Sequence, residues 1–177
     1  MADQHLILTV IGDDRPGLVE ELATTIATHD GNWLEASLAH LSGKFAGIVR
    51  VAVPAGQAAA LKAALAKLSG LKVSAELAAE EKSAPHLPTI GRRFTLNLVG
   101  HDRIGIVREV SQVLARHAVN LEELATYTSS APMSAEVLFH AEAELFTAPD
   151  FNARALKAEL EKLSDDLMVD ITLGETL

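Results

Sequence analysis

This sequence predicts an α+β protein of two consecutive βαββαβ units, each an antiparallel four-stranded sheet with two helices on one face. Three observations carry the prediction. Residues recur without a gap at a spacing of 88, pairing Gly12 with Gly100, Asp14 with Asp102, Arg15 with Arg103, Gly17 with Gly105, Glu21 with Glu109, His29 with His117, Asn32 with Asn120 and Glu35 with Glu123. Hydrophobic periodicity switches between strand and helix in the same order in each half. Between the halves, "AAEEKSAPHLPTIGRR" loses all periodicity to charge, Ser, Pro and Gly, which marks a linker.

In the first half, "HLILTVI" reads as a buried strand and "RPGLVEELATTIATHDG" as a helix with Leu18, Val19, Leu22 and Ile26 at helical spacing, stopped by Gly31. "WLEASLAHL" and "FAGIVRVAV" read as strands joined through the short turn "SGK". "QAAALKAALAKLS" is a second helix, its Ala and Leu stripe facing the core, and "LKVSAEL" alternates as a last strand. The second half repeats the order with "RFTLNLV", "IGIVREVSQVLARHA", "LEELATYT", "SAEVLFHAE", "DFNARALKAELEKLS" and "LMVDITL". "LAKLS" and "LEKLS" are displaced by 95 rather than 88, which places about seven extra residues between Ala141 and Asn152. The domains are therefore expected at 1–78 and 93–177, with a linker at 79–92. Each sheet keeps one open face, a liability that pairing relieves, so the two equivalent strand-to-helix loops are expected to approach a common interface.

Composition narrows the function. The 177 residues carry 24 acidic and 15 basic side chains, a formal charge of -9, and no basic stripe, which disfavours direct contact with nucleic-acid phosphates. No cysteine is present, which removes disulfides, thiolate metal sites and cysteine nucleophiles. The N-terminal stretch lacks a basic leader, and no apolar run is long enough to span a bilayer, so a cytoplasmic protein is expected. The seven histidines lack metal-ligand spacing, and no phosphate-binding glycine loop or nucleophile–base set occurs; no metal, cofactor or catalytic residue is expected. Trp33 reads as a packing residue beside Asn32, and His101, which replaces Asp13 in the second copy, faces either a ligand or water.

The repeated "GDDRPGLV" and "GHDRIGIV" carry the chemistry. A glycine allows close backbone approach, and the free N–H groups of a first helical turn attract a carboxylate. The plainest role for Asp13 or Asp14 is to cap that helix. Repetition of Asp14 together with Asn32 points instead to a zwitterion, its carboxylate on the amides and its ammonium on Asp14 or Asn32, with Asn32 expected close to the loop in space.

D-R-P-G-[LI]-V, followed by a G-N or V-N turn and an acidic strand start, resembles the ACT domain, a small ferredoxin-like sensor of amino acids. The tandem arrangement without a catalytic domain is similar to the group of glycine cleavage system transcriptional repressors. That resemblance implies a non-enzymatic regulator that senses a small, glycine-like amino acid and engages a DNA-binding transcriptional activator protein, with a homodimer left open. It places ligand contacts on Asp14, Gly17 and Asn32 and on Asp102, Gly105 and Asn120. Ile104 departs from the pattern where the first copy has Pro16. A ligand-independent assembly module and, less favoured, a small enzyme are the alternatives.

Overall fold

A computed structural model describes residues 3–78, 90–131, 136–167 and 169–176. The chain divides into two compact units, Met1–Ala84 and Pro85–Leu177. In the first, β1 (Asp3–Asp13), α1 (Leu18–Ala27), β2 (Asn32–Leu41), β3 (Lys44–Pro54), α2 (Ala58–Leu65) and β4 (Leu71–Leu77) form a sheet in the order β2-β3-β1-β4. The second repeats this with β5 (Arg92–His101), α3 (Ile106–Arg116), β6 (Asn120–Ser130), β7 (Val137–Thr147), α4 (Ala153–Leu167) and β8 (Val169–Thr176), in the order β6-β7-β5-β8. The βαββαβ pattern is present twice, and every strand pairing is antiparallel.

Alternation along the strands builds each core. On β1, Leu6, Leu8 and Val10 are buried while His5, Ile7 and Thr9 point the other way, so the strand is covered on one face rather than both. They meet Leu18, Leu22 and Ile26, one stripe of α1, and Leu61 and Leu65 of α2. Each such side chain contributes about 1.5–3 kcal/mol on full burial. The second unit packs Phe94, Leu96 and Leu98 against Ile106, Val110 and Leu114 of α3 and Leu156 and Leu160 of α4.

Three local expectations change. The extra residues of the second unit lie mainly in the β6–β7 connection: Asn32 to Asn120 spans 88, but their partners Ala52 and Phe146 are already 94 apart, so six residues have entered before Phe146. The first unit makes that connection with two residues, Ser42 at φ 49° and Gly43 at φ 77°, the pattern of a type I′ hairpin turn. The first helix ends earlier than expected, and its left-handed stop residue is Asp30 at φ 55°, matched by Ala118 at φ 53°. Gly31 serves instead for space, since a Cβ there would lie 2.7 Å from Ile26 Cγ2. Most of the expected linker lies outside the described residues, but Arg92 already belongs to β5, where Arg92 forks onto Glu175 and Arg93 pairs with Glu122.

Candidate functional site

The repeated loop runs from the end of β1 to the start of α1, and from the end of β5 to the start of α3. Gly17 and Gly105 sit at φ 90° and 101°, a left-handed conformation that L side chains adopt only at a cost. That backbone requirement alone accounts for glycine at Gly17, because nothing lies within 4 Å of where its Cβ would be. The other repeated glycine, Gly12, is required for a different reason: a Cβ would meet Gly70 O at 2.2 Å.

Both glycines are helix N-cap residues, and no side chain caps either helix. Asp13 and Asp14 are therefore not caps. Glu21 N–H donates to Gly17 O and Glu109 N–H to Gly105 O, so the amides of the preceding first-turn residues have no partner within the helix. The loop itself is anchored by its backbone. Asp14 N–H donates to Gly43 O at 2.9 Å, and Asp102 N–H to Val137 O at 2.9 Å, so the hairpin beside each loop holds the aspartate in place.

Sequence reasoning left one pair without a role. Arg15 forks onto Glu21 across the helix start at 2.7 and 2.8 Å and also donates to Ser69 O at 3.3 Å. Arg103 reaches Glu109 in the same way at 3.0 and 3.5 Å. The hydrogen bond from Arg15 holds the Glu21 carboxyl below the usual carboxylate range and raises the guanidinium in turn. Both pairs were visible in the sequence as members of the 88-residue repeat, with an acid six positions after a base across a helix start.

Side-chain charge around the two loops is arranged oppositely. In the first unit the loop supplies acids, Asp13 bonded to Lys44 and Asp14 Oδ2 lying 3.7 Å from His40 Nε2, and the hairpin supplies the bases. In the second, His101 on the loop side faces Glu136 on the hairpin side at 3.7 Å. Asp14 and Asp102 are exposed, and an open depression at the first loop is lined by Asp14, Arg15, Gly17, Leu18, Val19 and Phe45, among others.

Asn32 and Asn120 do not join these loops. Asn32 lies opposite Ala52, which pairs with His5, whereas the loop follows Asp13; Asn120 lies opposite Phe146, which pairs with Arg93, whereas the loop follows His101. Eight strand residues separate the two ends in each unit, about 26 Å at about 3.3 Å each. The expectation of closeness fails because each helix carries the chain back along the sheet: ten residues of α1 span about 15 Å. Asn32 is therefore near α1's C-terminus, not its N-terminus.

Other candidates resolve into packing. Trp33 is half-buried against the first core. His29 Nδ1 lies 2.8 Å from Thr25 O, and His117 Nε2 lies 2.6 Å from Glu159 Oε2. Beneath α3 is an apolar cavity of about 20 Å³ lined by Leu96, Val110, Leu121, Leu124 and Phe139 among others, room for about one water and not for an amino acid. Among the described residues no three His, Asp or Glu side chains converge as metal ligands, and no helix is long and apolar enough to cross a membrane.

Residues 4–76 match the family model of the ACT domain. A structure from Galdieria sulphuraria of unknown function is 29% identical over 99% of this chain and 100% of its own, with a TM-score of 0.84. A proposed glycine cleavage system transcriptional repressor is 18% identical over 99% of each chain, with a TM-score of 0.72, a likeness of fold. No curated protein matches the chain.

Proposed function

From the premise that this chain's first unit is an ACT domain and its second unit repeats the same fold, we propose that it is a non-enzymatic, cytoplasmic regulator that senses a small, glycine-like amino acid and controls transcription by contacting another protein. One observation carries the reading: both units keep a helix start with no side-chain cap beside an exposed aspartate whose own amide is pinned to the adjacent hairpin. Free first-turn amides attract a carboxylate, and Asp14 or Asp102 attracts an ammonium, so the loop offers both halves of a zwitterion's recognition. Gly17 and Gly105 shape the loop. Asn32 and Asn120 lie at the far end of their own sheets from the loop and take no part in it. The likeness of fold to a proposed glycine cleavage system transcriptional repressor suits the regulatory half of the proposal. A DNA-binding activator is the partner proposed because the chain's charge of -9 disfavours its own contact with DNA.

The second reading, a ligand-independent assembly module, draws on the Arg15–Glu21 and Arg103–Glu109 forks, which tie down each loop without any ligand. Thermal melts against a panel of free amino acids separate the two. A ligand at about 100 times its Kd adds roughly 2.7 kcal/mol, readily seen as a higher Tm. The sensor reading expects a shift with glycine or a close relative that is lost in Asp14→Ala/Asp102→Ala. A panel without any shift favours the assembly module, and an unchanged shift in the double variant removes the aspartates from the site.

A further inference from the structure

The open face of the first sheet carries a row of side chains across its strands: Glu35 on β2, Arg50 on β3, Ile7 on β1 and Glu76 on β4, each opposite the next in register. Arg50 Nε is buried with no hydrogen-bond partner, and the guanidinium makes no ion pair among the described residues although Glu35 stands directly across from it. Buried polar groups normally have a partner, and a desolvated guanidinium nitrogen without one carries a cost that an acceptor would remove. Beside it lies an open depression of about 200 Å³ lined by Ile7, Glu35, Ser37, Ile48 and Arg50 among others, all from the first unit. Against about 20 Å³ beneath α3 this is space for an organic molecule, and below the roughly 300–1,000 Å³ of drug-sized sites it is space only for a small one. Its floor includes Ile48, an isoleucine left 53% exposed on a central strand.

The second unit does not repeat this arrangement. Ile7 corresponds to Thr95 at a spacing of 88, and Arg50 and Ile48 correspond to Glu144 and Glu142 at 94, so the cation has become an acid and both isoleucines have become polar. Nor does the depression belong to the repeated loop. Ile7 is six residues before Asp13, about 20 Å along β1 at about 3.3 Å each.

We infer that this depression is a binding site, one per chain, for a free α-amino acid with a branched aliphatic side chain, such as leucine. An α-amino acid carries its carboxylate and its ammonium on one carbon, so a single molecule bridges the unpaired Arg50 and the Glu35 across from it. The carboxylate gives the guanidinium a forked acceptor, the ammonium gives Glu35 a charge-assisted donor, and the side chain lies on Ile7 and Ile48 away from water. Glu76, at the far end of the row, repels a second carboxylate, which disfavours dicarboxylic ligands. The inference is independent of what the loops bind.

Isothermal titration of the full chain with leucine tests it, with circular dichroism melts confirming that each variant folds. The wild type should bind one leucine per chain at millimolar concentration or below, with glycine failing to compete. Arg50→Met, which keeps the stem and removes the fork, should abolish binding, and Glu35→Gln should weaken it about tenfold. The keto acid 4-methyl-2-oxopentanoate and the amine 3-methylbutylamine, each lacking one half of the bridge, should each bind at least about tenfold more weakly than leucine. Asp14→Ala/Asp102→Ala should leave leucine binding unchanged. No binding of leucine, isoleucine or valine at millimolar concentration, undiminished binding by Arg50→Met, or loss of binding in the loop double variant would each overturn the proposal. So would self-association of the chain that Arg50→Met abolishes in the absence of any leucine binding, which would assign the face to a second copy.

Discussion

Four backbone positions at φ above zero show how closely residue identity follows local geometry. Gly17 and Gly105 hold a left-handed turn that starts a helix; replacing either by Ala should cost about 1–2 kcal/mol, read as a lower Tm, even though Gly17 has open space for a Cβ. Asp30 and Ala118 hold the left-handed stops after α1 and α3. Aspartate tolerates that conformation, whereas alanine adopts it only at a cost. Ala118→Gly is accordingly expected to raise stability by about 0.5–1 kcal/mol, less than the full strain because glycine also loosens the unfolded chain. A neutral or negative change in chemical denaturation would show that the strain at Ala118 is relieved elsewhere.

Differences between the two cores belong to the scale of elements. Along α3, Val110 stands where α1 has Leu22, and along β6, Leu121 stands where β2 has Trp33; the smaller residues border the cavity beneath α3. Val110→Leu should fill part of that space and add about 0.5–1.5 kcal/mol, whereas Leu22→Val should lose a similar amount. Ion pairs also tie elements together: Glu175 accepts the Arg92 fork between β8 and β5, and Glu159 of α4 accepts from Arg116 of α3 and from His117 just past its end. Both carboxyls are held below their ordinary range by those hydrogen bonds. A depressed folded-state value means stability is fully present above the unfolded carboxylate range and lost as the pH falls through the folded value. Glu159→Gln/Glu175→Gln should therefore show a flatter fall in Tm on acidification than the wild type. Element order was legible because period-2 and period-3.6 patterns survive in a single sequence, as Leu6, Leu8 and Val10 or Leu18, Leu22 and Ile26 illustrate. The loop aspartates and glycines were legible through repetition. Asn32's distance from them was not, since adjacency in sequence hides the return run of α1, and neither were the six residues of the β6–β7 connection, which fall where no repeated landmark stands.

For the whole molecule, net charge of -9 sets the expectation for transcriptional control. A direct DNA contact requires a row of cations to displace counterions, and the arginines at 15, 92, 93, 103 and 116 are all engaged with glutamates. Pure protein should leave promoter DNA unshifted in a mobility assay at sub-micromolar concentration, while adding it to a complex of that DNA with a DNA-binding activator should produce a supershift. Salt-sensitive retention by the protein alone would reverse that expectation. The packing of Trp33 into the first core has an optical consequence. The chain has one tryptophan, in the first unit, and one tyrosine, Tyr127, stacked on His140 at 4.5 Å in the second, so each half carries its own chromophore. Indole emission excited beyond the tyrosine band reports the unfolding of residues 3–78 alone, far-ultraviolet dichroism reports both halves, and any gap between the two melting curves measures how independently the halves come apart.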